Sequence, residues 1–358
     1  FWLGVEVWGD PDHRQNYLYQ GSVQVTNGGT IENAAIGVLS GARDTQNPNN
    51  FNYLKAGGMV YGTNGVFKNN KVGVQFIDCL VYPGNPRFTL CQFLTTPSIL
   101  DIGQFRAFIV AANIGSVGAY GCNFINSYSN DPHGMGISAT NTGVYVGAQC
   151  TAQIQPCPEA SMTHSVFTNL SRGIYGINSA SPHGVSVSRT DFTGVTSGIY
   201  LSGFSAPGIT ISTFNVPGTL GGIQPMIPPY GLYLDNCTGY HVEGNEFYSV
   251  DPTPSSAGLI INNSGTADNE VYRNKFTNLR YGSAAQDVNK HPTDGITGLC
   301  FVCNTYKSTD GEIVVTRSST YSRSMGISEY QHQYLNGSNI PPFNLFYINY
   351  ASTHYDLY

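Results

Sequence analysis

The sequence predicts an all-β fold, a right-handed parallel β-helix of about ten coils, and three observations carry that reading. The first is a recurring hexad. In Val271-Tyr-Arg-Asn274-Lys-Phe276 an apolar residue comes first, a small polar residue three places on, and an aromatic two places after that. Val242-x-x-Asn245-x-Phe247 and Phe301-x-x-Asn304-x-Tyr306 repeat it, and Val187-x-x-Thr190-x-Phe192 and Met162-x-x-Ser165-x-Phe167 keep its spacing. Ala119-x-x-Cys122-x-Phe124 and Phe88-x-x-Cys91-x-Phe93 place cysteine in the middle. The second observation is a glycine six residues past the aromatic, as in Gly73 after Phe67, Gly173 after Phe167 and Gly198 after Phe192. Phe167 to Phe192 spans one period of 25 residues, which is a solenoid spacing. The third is alternation: Val185-Ser-Val187, Ile199-Tyr-Leu201, Leu232-Tyr-Leu234 and Ile313-Val-Val315 have the period of 2 that strands require. Helical stripes and regularly spaced leucines are missing, so the stacked unit is a coil of short strands.

Taken in order, Trp2-Leu-Gly-Val-Glu-Val-Trp8-Gly9 is the first rung and residues 10–14 a polar loop. Gly21–Val25 and Gly29–Asn33 make the next coil. Coils stack about 4.8 Å apart, so equivalent residues form ladders along the axis. Phe167, Phe192, Phe247, Phe276 and Tyr306 are expected to stack inside, and Asn245, Asn274 and Asn304 to form an amide ladder at a tight corner. The β-helix is assigned to residues 1–320. Residues 321–358, rich in aromatics and carrying Pro341-Pro342, read as a C-terminal cap or a linker to a further domain, because open strand edges need cover.

The opening Trp-x-Gly-Val-Glu-Val-Trp-Gly, the Gly-x-Val-x-Val strand, Thr-Ile-Glu-Asn-Ala, and later Gly-Leu-Tyr-Leu-Asp-Asn-Cys237 and Gly-Leu-Cys-Phe-Val-Cys-Asn304 carry a resemblance. Over most of residues 1–320 the chain resembles secreted right-handed β-helix proteins of Bacteroidota. The resemblance implies a secreted or cell-surface protein that meets the type IX secretion machinery during export. It implies no particular activity.

Composition narrows the partners. Only 11% of the 358 residues are charged, against about 25% in an ordinary domain, and the net charge is −6 without a basic cluster. Nucleic acid is therefore not an expected partner. No apolar run approaches the length that spans a membrane. Insertions break the beat at residues 126–134, 216–229 and 249–256 on one corner, and at 40–58, 141–160 and 286–297 on a second. Loops on a rigid scaffold commonly carry binding. Tyr128, His133, Met226, Tyr230, Tyr248 and Asp251 lie on or beside the first set and are the candidate glycan or surface-ligand residues. Drifted loops without a ligand are the plainer alternative.

Catalysis is tested against the chemistry other β-helices host. Lyases need clustered carboxylates for Ca²⁺ with a basic residue, and hydrolases need paired carboxylates. Asn-Thr-Asp, Asp-Asp, Gly-His-Gly and Arg-Ile-Lys segments are all missing. His241-Val-Glu243 reads as ordinary outer wall, and Asp287, Lys290, His291 and Asp294 as a solvated loop. No catalytic residue, metal site or cofactor is assigned, and a polysaccharide lyase or hydrolase with an unrecognised site is the alternative function. Among eight cysteines, Cys150 and Cys157 are placed to clip one insertion, and Cys91 and Cys122 to occupy adjacent rungs. Cys300-x-x-Cys303 reads as a core or ladder pair rather than a metal clip.

Overall fold

Each hexad is a corner between two strands. Around Asn274, the strand Asn269–Tyr272 ends, Arg273 turns through φ 54°, and Lys275–Thr277 begins a strand of another sheet. Leu90, Gly121, Arg189, Ile211, Gly244 and Cys303 take the same left-handed turn immediately before the small polar position. A non-glycine residue there costs about 1–2 kcal/mol, so the side chain that follows must fix the corner. Other corners use asparagine as the turning residue itself: Asn27, Asn64, Asn113, Asn141, Asn169 and Asn236 have φ between 46 and 54°. The short amide tolerates that conformation by bonding locally. Much of the chain's asparagine therefore serves turns outside the ladder.

The computed structural model describes all residues except 129–132, 180–181, 219–227, 266, 292–296, 308, 317–325, 329–330, 332, 336–337, 341–342 and 348–358. The chain divides into two compact units, Phe1–Asp191 and Phe192–Tyr358. Each contains three parallel sheets, the arrangement of a parallel β-helix.

In the first unit, one sheet stacks Val5–Val7, Ile36–Ser40, Val72–Phe76, Ala107–Ala112, Met135–Thr140 and Arg172–Ile177. A second runs from Ser22–Thr26 to Val185–Ser188, and a third from Thr30–Glu32 to Ser165–Thr168. Phe67, Phe93, Phe124 and Phe167 stack inside with centroids 4.8, 4.8 and 4.5 Å apart.

In the second unit, the corresponding sheet stacks Ser197–Ser202, Tyr230–Asp235, Ala257–Asn262, Tyr281–Gln286 and Gly311–Thr316. The other two run from Gly208–Thr210 to Leu299–Val302 and from Thr213–Asn215 to Leu345–Tyr347. Its column holds Phe192, Phe214, Phe247, Phe276, Tyr306 and Phe346, with spacings of 4.7 to 5.3 Å. The beat thus resumes beyond residue 320: Asn344-Leu-Phe346 adds a further asparagine and a further ring.

The asparagine ladder follows from the rung spacing. Asn274 Oδ1 accepts from the Asn245 backbone N–H at 3.0 Å, and Asn304 Oδ1 accepts from that of Asn274 at 2.9 Å. Asn274 Nδ2 donates to the Val242 carbonyl at 2.9 Å, and Asn304 Nδ2 to that of Val271 at 2.8 Å. Asn344 closes the series on Asn304 and Phe301. The recurrent glycine has an equally direct cause. A Cβ on Gly231, Gly258 or Gly282 would lie 2.6 to 2.7 Å from Cδ1 of Phe247, Phe276 or Tyr306. The next rung's ring occupies the space of the missing side chain.

Two expected boundaries move. Gly143–Gly147 is a strand of the second sheet, so the insertion assigned to 141–160 begins after it. There Gln149–Cys150 pairs with Met162–Thr163, clipped by the Cys150–Cys157 disulfide. Asp287 is not in a solvated loop: it is buried, at a corner with φ 58°. Asp294 lies outside the described residues.

Candidate functional site

Alternation along a strand sends every second side chain outward, and on a polar solenoid those positions should be polar. The first-named sheet of the second unit departs from that rule. Register aligns Tyr200, Tyr233, Ile260, Ala284 and Val314 as one outward row. Beside it runs Ser202, Asp235, Asn262, Gln286 and Thr316. An apolar and aromatic stripe therefore lies against a polar one.

The stripe encloses a hollow of about 160 Å³. Its floor is Ala257, Ile260 and Ala284, and Tyr233, Tyr281 and Pro228 stand around it. Tyr230, itself buried, meets Tyr233 edge to face at 5.5 Å, and Tyr200 meets Tyr233 in the same manner at 5.4 Å. The Arg280 guanidinium lies 5.1 Å over the Tyr281 ring. The rings are thereby held by neighbours before any ligand arrives.

The polar row sorts into committed and available groups. Asp235 accepts from the Tyr200 hydroxyl at 3.0 Å, Ser202 at 3.2 Å, Asn262 Nδ2 at 2.8 Å and Asn236 Nδ2 at 3.0 Å. Its carboxylate is a brace for the tyrosine row. The Tyr233 hydroxyl donates to Gln286 Oε1 at 3.1 Å. Burial above all, then the Asp235, Tyr230 and Asp287 neighbours, pushes the Tyr233 pKa up to about 12, so that bond keeps its proton at ordinary pH. Gln286 Nε2 and the Thr316 and Tyr281 hydroxyls make no side-chain hydrogen bond among the described residues and edge the hollow.

The residues singled out from the sequence are scattered by comparison. Tyr128 is 39% exposed and His133 half-buried, both in the first unit. Met226 lies outside the described residues. Tyr248 is half-buried on the strand Glu246–Tyr248. Asp251 caps its own turn, accepting from the Thr253 N–H at 2.9 Å, while the Ser255 N–H donates to the Gly218 carbonyl at 3.2 Å. Two insertions of that corner therefore pack on each other. Of the five that are described, only Tyr230 adjoins the hollow, and it does so as buried support.

Sequence reasoning missed Tyr200, Tyr233, Tyr281 and Gln286 because it looked to insertions. The available signal was Leu259-Ile-Ile261, Ser283-Ala-Ala285 and Ile313-Val-Val315, three successive rungs whose outward residue is apolar. Elsewhere on the wall, His241 and Glu243 form an exposed pair at 2.5 Å, and Glu270 lies opposite His241 in register. Burial raises the Glu270 carboxyl, His241 opposes that shift, and Glu243 adds to it. No three His, Cys, Asp or Glu residues among those described are placed to hold a metal ion. Cys300 and Cys303 are not disulfide-bonded and are half-buried, Cys303 being the turning residue before Asn304. No helix among the described residues is long and apolar enough to cross a membrane. Comparison with protein-family models, curated proteins and solved structures finds no match.

Proposed function

We propose that this chain is a secreted or cell-surface β-helix protein that binds glycan on the outer wall of its second unit and does not cleave it. The observation that carries the reading is the hollow: preorganised tyrosine rings beside a row of short hydrogen-bonding side chains. One face of a sugar ring is lined by C–H groups and its rim by hydroxyls, which calls for that pairing of flat apolar and polar surfaces. The Cys150–Cys157 disulfide suits an oxidising compartment outside the cytosol. Export as type IX cargo, implied by the sequence resemblance, belongs to the same proposal.

A polysaccharide hydrolase is the second reading, favoured by Glu270, whose raised carboxyl beside His241 and Glu243 is the type of group that acts as a general acid. The two readings separate in one experiment. Glycan-array and calorimetric binding should be reduced about tenfold or more by Tyr233→Ala, since one aromatic contact of about 1.5 kcal/mol corresponds to that factor. Incubated polysaccharides should yield no new reducing ends. Binding that survives Tyr233→Ala combined with Tyr281→Ala removes the site. Reducing ends that vanish in Glu270→Gln establish the hydrolase.

A further inference from the structure

The hollow's lining says which sugars fit. It offers a floor of methyl groups from Ile260 and Ala284 above the buried Ala257, with Val314 beside them, and no charged side chain among the described residues lines it. Asp235 stands one row away and already accepts four hydrogen bonds. Arg280 is stacked on Tyr281 rather than lining the space. A uronate or sulfated ring would bring a charge against apolar walls with no opposite charge to meet it, which is strongly disfavoured. A volume of about 160 Å³, open to one side, admits part of one sugar and no second ring, since a dry cavity of about 150 Å³ takes up a single benzene. A plain hexopyranose would turn a hydroxymethyl group or hydroxyls toward the alanine and isoleucine floor, leaving them without partners.

Resting on the glycan-binding reading, we infer that the hollow takes one neutral pyranose bearing a methyl group, supplied by a 6-deoxyhexose or by an N-acetylhexosamine. The methyl lies on Ile260 and Ala284, the ring's C–H face on Tyr233 or Tyr281, and Gln286 Nε2 donates to a ring substituent oxygen. The Thr316 hydroxyl serves the rim. For an N-acetyl group the amide carbonyl is the natural acceptor for Gln286. For a 6-deoxyhexose a ring hydroxyl replaces it, so Gln286→Ala distinguishes the two sources.

The test is competition calorimetry on the full chain with methyl glycosides of fucose, rhamnose, N-acetylglucosamine, glucose and glucuronic acid. A methyl-bearing sugar is expected to bind at least tenfold tighter than glucose, with glucuronate the weakest. Ala284→Leu, which fills the floor, should abolish binding, and Gln286→Ala should weaken the N-acetyl sugar more than the deoxy sugars. Should Ala284→Leu fail to fold, Ala284→Ser is the second variant, expected to shrink the methyl preference. Glucose or glucuronate binding as tightly as the methyl sugars, with Tyr233 still required, overturns this specificity and leaves the glycan site standing. Failure of every sugar, and of every glycan on an array, overturns the glycan-binding reading itself.

Discussion

The corner column before the stacked rings is built in two ways. In residues 1–191 it holds Cys91, Cys122, Ser165 and Thr190; in residues 192–358 it holds Ser212 and then Asn245, Asn274, Asn304 and Asn344. An amide carries both a donor and an acceptor, so each asparagine holds the preceding rung's backbone at two points, its Oδ1 taking an N–H and its Nδ2 giving to a carbonyl. A thiol is a weak donor of limited reach. Cys91 and Cys122 turn to carbonyls of their own rungs, Thr89 and Tyr120, at 3.5 and 3.6 Å. The Cys122 N–H is met instead by Ser165 Oγ at 3.1 Å. Burial drives the Cys122 thiol well above its ordinary range, as expected of a small apolar filler. One corner is therefore held at two points by each side-chain amide, the other by the Ser165 hydroxyl and by closely packed thiols that bond only weakly.

The rings themselves should not distinguish the two regions. Phe124→Ala and Phe276→Ala each remove a fully buried stacked ring and should each cost about 3–5 kcal/mol. Equilibrium urea unfolding of the two variants measures this. A much smaller loss at Phe124 would show that the cysteine-cornered column packs loosely.

The corner residues should distinguish them. Asn274→Leu strands the Asn245 N–H and the Val242 carbonyl, so a loss of about 2–3 kcal/mol is expected, with glycan binding unchanged. Cys122→Ala removes a buried thiol with only weak hydrogen bonds and should cost about 1 kcal/mol. Equal losses in thermal melts would end the distinction. Lost binding without lost stability in Asn274→Leu would turn the ladder into part of a site.

How much of this could be read from the sequence follows from the same physics. Inward positions are dictated rung after rung by one stacking distance, so Phe276, Asn274 and the glycine beat repeat legibly. The reason for the glycine became visible only with Phe276 lying where a Gly258 side chain would be. Outward positions have no such repetition. Tyr233 and Gln286 lie 53 residues apart and meet only through register. The insertions carry no beat at all, and Asp251 there is occupied with its own turn. Asn344 and Phe346 escaped because proline and aromatic richness around them masked one more copy of the pattern.

Alkaline pH offers another separation. In residues 192–358 burial raises Tyr306 and Tyr240 above the ordinary phenol range, Tyr233 to about 12 and Cys237 to about 11. Their unfolded values are 10.0 for tyrosine and 9.0 for cysteine. Between those values and the folded ones, the unfolded chain binds fewer protons than the native one. Stability from these groups is full below pH 9 and falls as pH rises through the 9–12 window. Melting followed by tyrosinate absorbance should show it, and Tyr306→Phe should blunt the fall. A flat stability profile from neutral pH to above 11 would contradict the burial of these hydroxyls.

The smallest expected effects are the exposed ion pairs, and they sharpen the comparison by being alike. Lys275–Glu246 closes at 2.6 Å between adjacent rungs of the second unit, with side chains 54% and 44% exposed. In the first unit Glu159 lies 3.3 Å from Arg189, and His164 sits 3.7 Å from Glu159 and 3.0 Å from Asp191. Water and salt screen both sets, so the Lys275–Glu246 and Arg189–Glu159 pairs should each contribute about 0.2–1 kcal/mol in a double-mutant cycle, less at high ionic strength. Their targets differ: Glu246 ties rung to rung, whereas Glu159 ties the disulfide-clipped insertion to the wall. Glu159→Gln should therefore speed proteolysis within residues 150–161 while leaving the global unfolding midpoint almost unmoved. Glu246→Gln should change neither by much, because the sheet beneath it is already hydrogen-bonded. A global loss well above 1 kcal/mol from either substitution would mean that charge at the wall helps hold the coils in register, a task the buried corners and rings account for here.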